Sequence, residues 1–208
     1  MSAIIVTGTD TGIGKTIFSA GLTQALDATY WKPIQSGLDE ETDSQTVARL
    51  TGRPTLAEAY RFALPASPHL AAMAEGARIR PEGLAIPNHS GPLIIEGAGG
   101  LMVPLDEELL YADQMVAWQA PVILCARTAL GTINHTLMSI EVMRARGLNL
   151  IGVAYIGPVH GDSPEIITRL GQTRNLGTIP PLEQINAQTL AQAFTGIDLA
   201  AIRLALAP

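Results

Sequence analysis

Residues 8–16 read GTDTGIGKT, and this stretch decides the fold. An apolar run at 3–6 precedes it, and residues 17–26 follow with apolar side chains at helical spacing. A strand, a glycine-rich turn, a Lys-Thr pair and a helix are, in this order, the parts of a phosphate-binding P-loop. The usual spacing would put the first glycine at Thr9, whereas it stands here at Gly8. The flanking strand and helix offset this departure, and the stretch predicts binding of a nucleoside phosphate.

The chemistry of such a loop follows from its backbone and its last two side chains. The N–H groups of the loop and of the first helical turn point into one concavity and bind phosphate oxygens. Lys15 can lie along the β- and γ-phosphates, and the Thr16 hydroxyl can bind Mg²⁺.

Composition narrows the class of protein. The chain has 208 residues, 47% of them hydrophobic, with 20 glycines and only 4% aromatic residues, which suits one α/β domain over 1–208. The net charge of −6 and the lack of a Lys/Arg-rich run argue against nucleic acid as a partner. Without an apolar run of ~18 residues or room for a signal peptide, we expect a cytoplasmic protein that does not enter membranes. Its one cysteine, Cys125 in an apolar run, is expected to be an inert core residue.

The rest of the chain alternates between apolar runs and helical patterns. Strands are predicted at 29–34, 92–96, 121–126, 150–155 and 176–179. Helices are predicted at 43–50, 132–146 and 187–204, whereas 51–91 shows no clean period. This alternation predicts a doubly wound, mostly parallel α/β sheet with the architecture of a P-loop NTPase, in which ligands bind beyond the carboxyl ends of the strands.

Three further segments fall where that geometry places ligands. In the first, residues 32–37, Lys32 and Ser36 would face the crevice, and a second cation beside a P-loop favours phosphoryl transfer over a solvated strand end. In the second, Glu96 ends a buried strand as a Walker B carboxylate does, so it could hold Mg²⁺. Asp43 is equally well explained as part of an exposed acidic turn. The third, around 131–134, begins a helix whose free N–H groups offer a carboxylate site, although an ordinary helix start explains it as well.

Five segments together carry a resemblance to a known family. They are GTDTGIGKT, KPIQSG (32–37), ASPHLAA (66–72), EGAGGLMVPL (96–105) and LGTINHTL (130–137). In this order and spacing they are similar to dethiobiotin synthetase, over most of the chain and most weakly after about residue 154. That resemblance implies a single-domain, homodimeric P-loop enzyme of biotin biosynthesis. It would use ATP, Mg²⁺, CO₂ and 7,8-diaminononanoate, and close a cyclic urea through a carbamic–phosphoric anhydride.

The resemblance also implies roles for individual residues. Lys32 and Lys15 would be catalytic, and Thr16, Asp43 and Glu96 would bind the metal. Other positions would contact ligands: the nucleotide at Gly12, Ile13, Gly14, Lys15, Thr16, Ile17, Asp43, Glu96, Gly97, Ala98, Gly99, Pro180, Pro181 and Leu182; the substrate at Thr11, Ser36, Gly131, Thr132, Ile133 and Asn134. The last four would receive the substrate carboxylate across the dimer interface.

One departure from the family concerns the nucleotide base. The family commonly has an Asn-Asp pair that contacts adenine after the strand that follows the LGTIN helix. Here that place reads Tyr155-Ile156-Gly157-Pro158, which has no side-chain amide. Phosphate binding is unaffected, but the preference for ATP over other nucleotides is left open.

Two other classes of P-loop protein compete with this interpretation. A switch ATPase of the partitioning or cell-division type would bind a partner as a regulator, but its signature lysine is replaced here by Asp10. A cobyrinate-type amidotransferase would need a glutaminase domain with a nucleophilic cysteine, which this chain does not supply.

Overall fold

Strands and helices alternate along residues 2–158 and 161–207, the part of the chain that the computed structural model describes. The strands are β1 (Ala3–Gly8), β2 (Thr29–Trp31), β3 (Ile34–Ser36), β4 (Thr55–Leu56), β5 (Tyr60–Phe62), β6 (Leu93–Gly100), β7 (Val122–Arg127), β8 (Leu150–Ile156) and β9 (Asn175–Ile179). The α-helices are α1 (Lys15–Ala25), α2 (Asp43–Thr51), α3 (Pro68–Ala74), α4 (Tyr111–Trp118), α5 (Thr132–Ala145), α6 (Ser163–Leu170), α7 (Ala187–Ala193) and α8 (Leu199–Leu206).

Seven strands form one parallel sheet in the order β4-β2-β6-β1-β7-β8-β9, and β3 pairs with β5 in a small second sheet. The central strand β1 is buried along its whole length and pairs with β6 on one side and β7 on the other. Such strands read as continuous apolar runs because helices cover both faces of the sheet. The P-loop therefore follows the central strand, at the carboxyl edge of the sheet.

Helices pack on both faces of the large sheet. On one face, α1, α2, α7 and α8 enclose a core that includes Phe18, Tyr30 and Ile94. On the other face, α3, α4, α5 and α6 enclose a second core that includes Trp31 and Tyr111. The predicted doubly wound parallel architecture is thus confirmed, with two cores separated by the sheet.

The predicted strand at 29–34 is wrong, because it divides into two strands that belong to different sheets. β2 ends at Trp31 and β3 begins at Ile34, with Lys32 and Pro33 between them. Proline has no N–H for the ladder, and it restricts the residue before it. The break leaves Lys32 at the carboxyl edge of the large sheet.

The predicted final helix at 187–204 is also wrong. It consists of α7, a 3₁₀ turn at Phe194–Gly196, and α8, with a 91° bend between the two helical parts. The Asp198 side chain accepts a hydrogen bond from Ala201 N and starts α8 as a separate helix. No single described helix is long and apolar enough to cross a membrane, and only this bent pair reaches the required length and composition.

Other differences concern segments that the sequence pattern described poorly. β6 continues through the glycines to Gly100, and the region 51–91 holds β4, β5, α3 and a 3₁₀ turn at Pro81–Leu84. α4 and α6 were not predicted either. These elements are short, so they carry too few turns for a helical period to stand out.

Candidate active site

Four elements bring charged or hydroxyl side chains to one point at the carboxyl edge of the large sheet. Lys32 follows β2, Glu96 lies in β6, and Thr16 lies in the first turn of α1. Asp43 begins α2, whose start is fixed by a capping box between Thr42 and Gln45. Because β2, β6 and β1 are neighbours in the sheet, residues distant in sequence meet here.

The phosphate loop leaves the first turn of α1 free to bind an anion. Gly14 occupies the N-cap with φ 93°, and no side chain caps the helix. A β-carbon at this position would lie 2.8 Å from Ile156 Cγ2, so both the backbone conformation and the space require glycine. Lys15 is buried, its Nζ donates to the Asp10 carbonyl at 2.7 Å, and burial lowers its pKa.

Lys32 is held between two carboxylates. Its Nζ lies 2.5 Å from Asp43 Oδ2 and 3.0 Å from Glu96 Oε1, and it donates to the Gly97 carbonyl at 3.2 Å. Burial lowers the pKa of the ammonium, but Glu96 and Asp43 outweigh burial and raise it well above the ordinary value. Burial raises the pKa of Asp43, but the charge of Lys32 lowers it below the usual range. Lys32 and Asp43 therefore keep their charges at neutral pH.

The Thr16 hydroxyl completes this cluster. It lies 3.0 Å from Asp43 Oδ1 and 3.0 Å from Glu96 Oε1, although its single proton can be donated to only one of these oxygens. The Thr16 hydroxyl oxygen therefore has two close carboxylate contacts but only one proton to donate.

Glu96 is 1% exposed, and its second oxygen has a partner of its own. The hydroxyl of Tyr30, a fully buried residue, donates to Glu96 Oε2 at 2.9 Å. Burial and the charge of Glu96 raise the pKa of Tyr30 well above its ordinary value, so the hydroxyl keeps its proton.

A cleft of about 420 Å³ opens beside the charged cluster. The predicted site residues that line it are Thr11, Lys32, Ser36, Asp43, Ala98 and Gly99. The Ser36 hydroxyl is buried without a hydrogen-bond partner among the described residues, so it is free to bind a polar group of a ligand.

Other predicted site residues lie elsewhere. Residues 131–134 begin α5 and line a separate cleft of about 710 Å³. Pro180 and Pro181 are exposed beyond β9, and Leu182 packs against the core on the α1 face. Within one chain, the residues predicted for the substrate carboxylate and for the base are thus outside the charged cluster. The remaining loop residues are divided between interior and surface: Ile13 is buried, Ile17 and Gly14 are half-buried, and Gly12 is exposed.

Two residues of this site were not predicted from the sequence. Tyr30 stands two residues before Lys32, and this spacing puts both side chains on one face of an extended strand. Gln35 Oε1 accepts a hydrogen bond from Asp43 N at 3.3 Å and thereby links β3 to the start of α2. Only the strand order, which the sequence does not state, shows that Tyr30 faces Glu96.

Among the described residues no group of three or more His, Cys, Asp or Glu side chains could hold a metal ion. A cation at the charged cluster would therefore need the Thr16 hydroxyl besides the two carboxylates.

Comparison with known proteins gives close relatives along nearly the whole chain. A family model described as an AAA domain matches residues 2–189. The ATP-dependent dethiobiotin synthetase BioD of Rhodopseudomonas palustris (strain BisB5) is 58% identical, over 92% of each chain. The protein of the same name from Nitrobacter hamburgensis is 55% identical over 92% of each chain. That from Agrobacterium fabrum is 55% identical over 91% of each chain.

Solved structures show the same fold at much lower identity. The cell division ATPase MinD of Pyrococcus furiosus has a TM-score of 0.58 at 18% identity, covering 94% of this chain and 99% of that one. A ParA family ATPase from Chlorobium tepidum has a TM-score of 0.60 at 11% identity, covering 99% and 98%. At such identities the similarity concerns the fold alone.

Proposed function

The chain belongs to the ATP-dependent dethiobiotin synthetase family, and from this premise we propose which role each site residue has in the reaction. Its activity is ATP-dependent dethiobiotin synthesis in biotin biosynthesis. The substrates proposed are 7,8-diaminononanoate, CO₂ and ATP. We place the enzyme in the cytoplasm, where ATP and bicarbonate are supplied, and treat residues 1–208 as one domain.

The proposed chemistry has three steps, and none of them needs a protein nucleophile. One substrate amine adds to CO₂ and loses a proton, which gives a carbamate. A carbamate oxygen attacks the γ-phosphorus, the bond to the β-phosphate oxygen breaks, and ADP leaves. The second amine then attacks the carbamoyl carbon of the carbamic–phosphoric anhydride and loses a proton, the bond from that carbon to the phosphate oxygen breaks, phosphate leaves, and the cyclic urea closes.

Lys15 and Lys32 are proposed to stabilise the charge that develops during phosphoryl transfer. Lys15 belongs to the phosphate loop and would contact the β- and γ-phosphates in the ground state. Lys32 opens onto the cleft beside the loop, where the attacking carbamate would lie. Its raised pKa keeps it cationic, which is what stabilisation of a transferring phosphoryl group requires.

Thr16, Asp43 and Glu96 are proposed to hold Mg²⁺. The Thr16 hydroxyl oxygen lies 3.0 Å from one oxygen of each carboxylate, and neighbouring ligands in a magnesium octahedron are about 2.9 Å apart. The donor set, two carboxylates and a hydroxyl, is also of the hard-oxygen type that Mg²⁺ prefers. Bound there, Mg²⁺ would neutralise phosphate charge as a Lewis acid.

The carbon chain and carboxylate of the substrate are proposed to extend from the cleft toward a second copy of the chain. Thr11 and Ser36 would contact the reacting end. Gly131 does not cap the start of α5 with a side chain. The Thr132 N–H donates to the Ala129 carbonyl, so the N–H groups of Ile133 and Asn134 are the ones proposed to bind a carboxylate. Leu130 beside it is fully exposed and Met138 is 52% exposed, which supports contact of this face with a partner. We therefore propose a homodimer with shared sites.

One observation supports the proposal most directly: Lys32 lines the cleft and lies between Asp43 and Glu96, next to the P-loop. The direct test measures ADP and dethiobiotin formation with and without diaminononanoate and bicarbonate. A synthetase releases ADP in step with dethiobiotin and only when both substrates are present. ATP hydrolysis that ignores both substrates, without dethiobiotin, would contradict the proposal and favour a switch ATPase.

A mixing experiment tests the shared site. Asn134→Asp adds a negative charge at the start of α5, which stabilises the helix but repels a substrate carboxylate. If each site uses residues of both copies, Asn134→Asp and Lys32→Ala proteins, each inactive alone, should regain about one quarter of wild-type activity when mixed, since half of the dimers carry one intact site. Asn134→Ala is the control: it keeps the backbone N–H groups and adds no charge, so it should retain much more activity than Asn134→Asp. No recovery after subunit exchange would argue against the shared site.

A further inference from the structure

The Tyr30 hydroxyl contacts one carboxylate oxygen of Glu96, and the charged cluster contacts the other. Glu96 Oε2 accepts from Tyr30 at 2.9 Å, whereas Glu96 Oε1 faces Lys32 Nζ and the Thr16 hydroxyl, each at 3.0 Å. The two oxygens of this buried side chain therefore have separate surroundings.

The strand register explains why Tyr30 reaches Glu96. β2 and β6 are parallel, and Tyr30 lies opposite Ile94. Glu96 is two residues further along β6 and thus on the same face as Ile94, within reach of a long side chain that leans along the strand. Lys32 is two residues after Tyr30, so it approaches the same carboxylate from the same side.

We propose that Tyr30 is a positioning residue for the reaction: its hydroxyl holds Glu96 in the one rotation that points Oε1 at Thr16 and Lys32. A terminal carboxylate torsion is broad, and the contacts at Oε1 alone hold its plane less firmly than contacts at both oxygens. A fixed carboxylate matters because Mg²⁺ tolerates little departure from octahedral geometry. The inference rests on the proposed role of Glu96 in binding Mg²⁺.

Tyr30→Phe tests this, because it removes the hydroxyl and keeps the buried ring. The measured quantity is the ratio of the ADP dissociation constants without and with Mg²⁺, determined by calorimetry on the same preparation. Partial unfolding lowers the active fraction in both measurements and cancels in this ratio. We expect the ratio to fall about 10-fold, and kcat to fall with little change in the KM for diaminononanoate.

Tyr111→Phe is the matched control. Tyr111 is also fully buried, on the opposite face of the sheet, and its hydroxyl has no hydrogen-bond partner among the described residues. Loss of this hydroxyl should leave the ratio unchanged. An equal fall in both variants would mean that the ratio reports packing, and would overturn the inference.

A third variant separates this inference from the proposed function. Glu96→Gln should itself lower the ratio, and Tyr30→Phe added to it should lower the ratio no further, because the tyrosine acts through the carboxylate. A normal ratio in Glu96→Gln would refute the metal role of Glu96. A lowered ratio in Glu96→Gln with a normal ratio in Tyr30→Phe would overturn only the role of Tyr30.

Discussion

The two ends of the proposed nucleotide site differ in the chemical groups that they offer. At the phosphoryl end, Lys32, Asp43, Glu96 and Thr16 contact one another through charged or hydroxyl atoms within about 3 Å. At the proposed base end, where β8 and β9 end, residues 156–157 and 180–182 offer apolar side chains and backbone. Groups beside the phosphates can contact the charge that develops during phosphoryl transfer, whereas groups beside the base lie away from the reacting atoms and mainly set the choice of nucleotide. This contrast predicts large effects at the first end and small ones at the second.

The largest effect is expected from Lys32→Ala. A contact that strengthens in the transition state affects kcat more than KM, and loss of one such contact costs about 3–4 kcal/mol, or about 10²–10³ in kcat. Steady-state kinetics measures this split. The substitution also removes the lysine charge that lies between Asp43 and Glu96, so thermal unfolding with and without Mg²⁺ is the control for folding. A folded variant with near-normal kcat would remove Lys32 from the catalytic residues.

Lys15→Ala should lower both rate and affinity, because this lysine is expected to contact phosphates before and during transfer. Hydrogen bonds to charged groups contribute about 1.5–3 kcal/mol, so ADP affinity should fall about 10- to 100-fold. Calorimetric titration of Lys15→Ala and Lys32→Ala with ADP compares the two lysines directly. Unchanged ADP affinity in Lys15→Ala would show that Lys15 does not contact the phosphates in the ground state.

Gly14→Ala tests the contact between the two ends, because Gly14 of the P-loop lies against Ile156 at the proposed base end. Alanine at φ 93° costs about 1–2 kcal/mol in backbone strain, and its β-carbon would crowd Ile156 Cγ2, which we expect to cost about 1 kcal/mol more. Ile156→Ala removes the crowding but not the strain. A double-mutant cycle on thermal stability should therefore give a favourable coupling of about 1 kcal/mol. Strictly additive effects would show that Ile156 moves aside freely.

The phosphoryl end was largely predictable from the sequence, because each of its residues belongs to a motif that ends a strand or begins a helix. The sequence pattern singled out Lys32 and Glu96, and the family resemblance added Asp43. Neither pointed to Tyr30, whose role depends on which strand lies beside β6. Likewise, Pro33 marks a break in the chain, but nothing in 29–34 shows that the two halves enter different sheets. Pairing between distant strands is set by the packing of both cores, and a single sequence does not state it.

The smallest effect is expected for the base. The N–H of Gly157 already donates to the Ile179 carbonyl at 3.0 Å, and Pro180 and Pro181 have no N–H to offer. With no side-chain amide at Ile156 or Gly157, this stretch has little with which to distinguish adenine from guanine or cytosine. A site without buried polar groups does not penalise the wrong base by leaving such groups unpaired.

We therefore expect kcat/KM for ATP, GTP and CTP to differ by no more than ~10-fold, or about 1.4 kcal/mol. Initial rates with each nucleotide, at fixed Mg²⁺, diaminononanoate and bicarbonate, measure this. Ile156→Ala sharpens the test: if Ile156 gives only apolar contact, its loss lowers kcat/KM for all three nucleotides by a similar factor. Several-hundredfold discrimination in favour of ATP would refute this expectation, because a difference of that size requires polar groups that match the adenine edge.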